Sequence, residues 1–88
     1  MAEKNVDEHI GRQLRRRRRA LGLTQLQLGL AIGVRFQQVQ KYECAASKMS
    51  VSRLWRVAEA LNVPISYFFE GLSATTAPTN GVRAEAAE

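Results

Sequence analysis

Cysteine is too scarce in this chain to build any covalent frame. Cys44 is the only one, so no internal disulfide can form. One thiol and one histidine, His9, do not make a zinc set either. No apolar run approaches the ~20 residues that span a bilayer. The opening stretch, MAEKNVDEHIG, lacks the apolar core of a signal peptide. A reduced, cytoplasmic setting with no metal and no membrane partner is therefore expected. Period-two alternation of apolar and polar residues is missing as well, so no sheet is expected. Acid is sparse through the middle: between His9 and Leu61, eleven Lys and Arg residues face only Glu43 and Glu59. A basic centre on a small domain favours a polyanion partner, most often nucleic acid. An enzyme is not expected. His9 is near a terminus, Cys44 has no candidate base beside it, and no nucleotide or metal motif occurs, so no catalytic residue and no cofactor is assigned.

What is present is helical punctuation. With 88 residues, the chain has room for one small domain, marginal alone and helped by dimerisation. Asp7 is a suitable cap for a first helix that runs to Leu21 and stops at Gly22. Thr24 caps a second, Gln25 to Ile32, ended by Gly33. A third runs from about Arg35 to Glu43 or Cys44, and AASKM follows as a loop. Ser50 starts a fourth, with Asn62 suited to the left-handed residue at its end. Pro64 forces a break, and ISYFFEG forms a last short helix. The fold class is thus all-α: a compact five-helix bundle over 7–71, with a flexible lead-in at 1–6. The tail, 72–88, is small, polar and punctuated by Pro and Gly, and reads as disordered.

Residues 25–43 are the most informative. Packing two short helices steeply across a tight turn requires a turn residue that accepts positive φ, and Gly33 does. It requires a small residue where the helices cross, and Gly29 supplies it. It requires apolar inward positions, and Leu28, Ile32, Val34, Val39 and Tyr42 fill them. At about 100° per residue, Gln37, Gln40 and Lys41 then point away from the core, with Phe36 and Gln38 on the flanks and Arg35 at the exposed start. Such outward and N-terminal positions are those a helix in the major groove uses to read bases. Glutamine pairs bidentately with adenine, and lysine donates to guanine. The alternative for the same residues is an ordinary solvated helix face.

GLTQLQLGLAIGVRFQQVQKYE resembles the Cro/repressor-type (Xre-type) helix-turn-helix family, and SRLWRVAEALNVPISYFFEG resembles the remainder of that domain. The likeness covers residues 9–71. FQQVQKYE with EALNVPISYFFEG is similar to small alphaproteobacterial regulators of the family. The resemblance implies a sequence-specific regulator of double-stranded DNA, acting as a homodimer, bacterial and nucleoid-associated. It implies base contacts at Phe36, Gln37 and Lys41, beside Arg35, Gln38 and Gln40 from the helical geometry. Phe36 departs from the polar residue often found there, and either touches a thymine methyl or packs. It implies a phosphate contact at Gln25, where Thr24 and the helix N-terminus also favour an anion. Lys48 is placed to reach a flanking phosphate or to stand as a surface lysine. The resemblance further implies an Arg18–Glu43 salt bridge that orients Arg18 toward DNA.

Two features stay open. On the first helix, Ile10, Leu14 and Leu21 form the inward stripe, while Arg15, Arg16 and Arg19 face solvent. Arg17 falls inside the stripe, where it must snorkel to the edge or find a buried partner. Phe68 and Phe69 either plug the core or, with Tyr67 and Trp55, form an exposed dimer patch. The competing function is an antitoxin-like or other protein-interaction module with secondary DNA binding, gripping a protein partner through the C-terminal helix or tail. At this length no separate ligand-sensing domain is expected.

Overall fold

A computed structural model describes residues 2–72, with side chains from Val6 onward. The described chain is helical throughout: α1 (Ala2–Ala20), α2 (Gln25–Ile32), α3 (Phe36–Glu43), α4 (Val51–Leu61), then a 3₁₀ turn, Ile65–Phe69. The class is the expected one. The count differs slightly, with four α-helices and a 3₁₀ turn in place of five helices. The expected tail lies outside the described residues, apart from Leu72.

The cap chemistry explains most boundaries. Thr24 Oγ1 accepts from the Gln27 backbone N–H, and the Gln27 side chain accepts from the Thr24 N–H, closing a reciprocal capping box. Gly33, at φ 80°, ends α2, and the N–H groups of Gly33 and Val34 both return to the Gly29 carbonyl. Ser50 accepts from the Arg53 N–H at the start of α4, and Asn62 ends it at φ 57°. α1 departs from expectation. It begins at Ala2, so Asp7 is an interior helical residue and not a cap, and residues 2–6 are helical. Ala2, Glu3 and Lys4 are good helix formers, and the helix continues through them. It stops at Ala20, so Leu21 lies in the turn before Gly22 and is 42% exposed. The helical frame that placed Leu21 inward no longer applies there.

One core joins the helices: Leu14 from α1, Leu28 and Ile32 from α2, Val39 and Tyr42 from α3, Leu54, Val57, Ala58 and Leu61 from α4, and Phe68 from the 3₁₀ turn. Each large side chain so buried stabilises by about 1.5–3 kcal/mol before entropy is counted. Val34 packs against this core, partly buried. Phe68 is the plug, fully buried beneath α4, whereas Phe69 is 42% exposed. Of the two, only Phe68 is a core residue.

Two glycines set the helix spacing. A Cβ on Gly29 would stand 2.6 Å from the Val34 carbonyl oxygen, so α2 and the turn meet without room for a methyl. A Cβ on Gly11 would stand 2.6 Å from the Glu43 carbonyl oxygen, which brings α1 equally close to the end of α3. Arginines then tie helix ends together. Arg17 Nε donates to the Leu61 carbonyl at 2.9 Å, at the C-terminus of α4. That is the partner its place in the apolar stripe demanded, and a cation there also meets the negative end of the helix dipole. Arg53 Nη1 donates to the Ile32 carbonyl at 2.6 Å, at the C-terminus of α2. Gln13 Nε2 donates to the Tyr67 carbonyl at 3.0 Å and fixes the 3₁₀ turn against α1.

Candidate nucleic-acid interface

The candidate interface comprises the N-terminus of α2 and the outer face of α3, and a buried polar network joins the two elements. Glu43, the last residue of α3, is 9% exposed and needs partners. Arg18 of α1 supplies them in fork geometry, with Nε to Oε2 at 2.5 Å and Nη2 to Oε1 at 3.0 Å. Arg18 Nη1 donates to the Leu23 carbonyl at 2.8 Å. Gln25 Nε2 donates to the remaining side of Glu43 Oε1 at 3.0 Å. One carboxylate thus fastens α1, the α1–α2 turn and the first residue of α2 to the end of α3. All three guanidinium nitrogens of Arg18 are engaged, and its side chain is 9% exposed. Its geometry makes it a brace beneath the surface, with three of its five N–H donors engaged.

Above that brace, the outer residues are uncommitted. Arg35, Phe36, Gln37, Gln40 and Lys41 are exposed, and Gln38 is half-buried. None of the five polar side chains among them makes a hydrogen bond or ion pair among the described residues. Arg35 is the N-cap of α3, with extended backbone and no capping bond from its side chain. Phe36 is 43% exposed, so its ring is available at the surface. At the start of α2, the Thr24 hydroxyl accepts from Gln27 and keeps its own proton to donate. Gln25 keeps its amide oxygen and a second N–H. Lys48 is exposed in the loop between α3 and α4. Gln25 at the start of α2 meets Glu43 at the end of α3, with Arg18 behind both.

Several participants carried no assignment from sequence. Gln27 completes the cap of α2, and its T-x-x-Q spacing after Thr24 is the signal that would have found it. Gly11 and the Leu23 carbonyl have no local signal. Cys44 is exposed at the end of α3, with Sγ donating to the Lys41 carbonyl at 3.7 Å. No group of three or more His, Cys, Asp or Glu suited to a metal occurs among the described residues, and no described helix is long and apolar enough to cross a membrane.

The geometry of α2 and α3 can be set beside known proteins. The helix-turn-helix family profile matches residues 14–68. The chain belongs to the Xre/Cro-type helix-turn-helix family of transcriptional regulators. This helix-turn-helix chain is 53% identical over 68 residues to a transcriptional regulator in the ATPase CF(0) region of Rhodospirillum rubrum, covering 77% of the chain and 63% of that protein. It is 46% identical over 65 residues to an HTH-type transcriptional regulator of Sinorhizobium medicae, covering 74% of the chain and 47% of that protein. The chain thus spans about half to two thirds of the length of these relatives. Among solved structures, the restriction-modification controller protein C.AhdI of Aeromonas hydrophila superposes with a TM-score of 0.68 at 27% identity, over 70% of this chain and 94% of that one. The clp gene regulator ClgR of C. glutamicum, at 23% identity and a TM-score of 0.73, shares the fold over 84% of this chain and 96% of its own. The helix-turn-helix of this chain is a DNA-binding fold.

Proposed function

We propose that the protein is a sequence-specific regulator that binds double-stranded DNA as a homodimer, with α3 in the major groove. One observation carries this reading. The outer face of α3 is uncommitted, and it stands on a buried network that fixes it relative to the N-terminus of α2. Side chains that make no internal bond lose none when they turn to base edges. Arg35, Gln37, Gln38, Gln40 and Lys41 supply the donors and acceptors that base edges require, and the ring of Phe36 suits a thymine methyl. Thr24 and Gln25, with the first backbone N–H groups of α2, take a phosphate, and Lys48 takes a flanking one. Arg18 serves the interface by holding Glu43 and, through it, Gln25. Bound to the chromosome, the protein is a component of the nucleoid.

The dimer rests on a separate surface. Val51 and Trp55 lie one turn apart on α4 and are 79% and 55% exposed. A second copy covers them in this reading, and its half-sites are expected one helical turn of DNA apart, about 34 Å. The test is selection of bound duplexes from a random pool, followed by affinity against salt. The expected result is a motif of two related half-sites centred about ten base pairs apart, with a steep salt slope. Failure to prefer any duplex over random DNA by tenfold overturns the regulator in favour of a protein-interaction module.

A further inference from the structure

The five consecutive arginines do not act as a block. Arg17 and Arg18 turn inward to the Leu61 carbonyl and to Glu43. Arg15, Arg16 and Arg19 turn outward, and Arg12 joins them one turn earlier; all four are exposed. At i, i+3, i+4 and i+7 they share one face of α1, a row about 10 Å long. Among the described residues none of the four has a hydrogen bond or an ion pair. Glu8 stands one turn before Arg12, yet no ion pair links it to the row. Like charges at these spacings destabilise a helix. The fold carries that cost with no internal return.

The chemistry of the row selects its partner. A protein interface is organised around an apolar centre, and this face has none between its arginines. Guanidinium groups bind phosphate oxygens in bidentate geometry, and all four residues are arginine, not lysine. One DNA strand presents a phosphate every ~3.4 Å of axis, so a row of this length spans about three. The row also adjoins the buried brace of the interface already described. Arg15 precedes Arg18 by three residues and is its neighbour on the helix surface. Arg18 is joined through Glu43 to Gln25 at the start of α2. The cationic row thus lies on the outer side of α1, linked to that phosphate site through the buried Arg18–Glu43 pair. We infer that Arg12, Arg15, Arg16 and Arg19 form a second contact with the same duplex. They take phosphates outside the half-site that α3 reads, without regard to sequence. Because Arg12 and Arg16 face away from the core, the flanking DNA curves toward α1 to meet them.

This inference rests on the DNA-binding reading above, and the test separates the two. The full chain is measured against one selected site in two duplexes, one ending at the half-site edges and one extended by about fifteen arbitrary base pairs on each side, roughly one and a half helical turns. Three proteins are compared: wild type, R12Q/R15Q/R16Q/R19Q, and R12K/R15K/R16K/R19K. Wild type is expected to gain at least tenfold in affinity from the flanks, with a salt slope steeper by about two to four units per protomer. The glutamine variant should lose that gain while binding the short duplex within threefold of wild type, and the lysine variant, which keeps the charge but not the bidentate fork, should keep only part of it. A thermal midpoint at or above that of wild type shows that the glutamine variant is folded. Absence of any flank gain in wild type overturns the inference and leaves the regulator standing. So does a glutamine variant that keeps the gain, which assigns the row to a different anionic partner, or one that loses equally on both duplexes. If wild type binds neither duplex, the regulator itself fails.

Discussion

On its inner side, α3 ends in a carboxylate whose two oxygens are held by Arg18 and Gln25. On its outer side, Gln37, Gln40 and Lys41 hold nothing within the described chain. The two regions are a turn or two apart and are built on opposite rules. Buried polar groups must be satisfied internally, since an orphaned one costs ~1–3 kcal/mol and an orphaned charge more. Exposed polar groups are satisfied by water, which a base edge can replace at little loss. Substitutions on the inner side should therefore register as stability, and substitutions on the outer side as binding.

The largest expected effect breaks the inner side. Glu43→Gln leaves the Arg18 guanidinium buried beside a neutral amide, and should cost about 3–5 kcal/mol in urea denaturation. Replacing both partners by methionine should recover most of that stability, because a buried pair is often matched by apolar packing. If Glu43→Gln costs under 1 kcal/mol, the bridge is not the buried pair described. Gly29→Ala comes next. Its methyl would meet the Val34 carbonyl at 2.6 Å, and forcing the turn open should cost about 1–3 kcal/mol, read as a lowered melting midpoint. Gln37→Ala sharpens the contrast from the other side. It should change folding stability by no more than ~0.5 kcal/mol, while weakening binding by ~1–3 kcal/mol and relaxing preference at one base position. Equal loss of affinity for every sequence would move Gln37 from base reading to phosphate contact.

The same division explains what could be read in advance. Thr24, Gly33, Ser50 and Asn62 announce their elements because capping and left-handed φ are local chemistry, and α2 and α4 lie where those residues put them. The outward positions of α3 follow from helical periodicity alone, since Val39 and Tyr42 fix its inner side. The misreadings occur where local rules stop. Leu21 was placed by a helical frame that ends one residue before it. Asp7 looked like a cap because the polar residues before it gave no apolar signal. Arg17 has its partner 44 residues away on a backbone carbonyl, and no residue pattern marks a carbonyl. Gly11 is unmarked for the same reason: its neighbour is the backbone at the end of α3. Ala45 adopts φ 63° after α3, where glycine would have been the signal and alanine conceals it.

The guanidinium groups of Arg17 and Arg53 each close the last turn of a helix other than their own, α4 for one and α2 for the other. Release of either helix would break the hydrogen bond between the guanidinium and its terminal carbonyl. Partial opening is thereby penalised by the loss of these hydrogen bonds. An isolated helix of eight residues is too short to persist in water, and α3 has only eight. Its shape is thus borrowed from the frame around it. On the proposed reading, the backbone of α3 meets its target already ordered, so the ordering left to be done on contact is that of its exposed side chains.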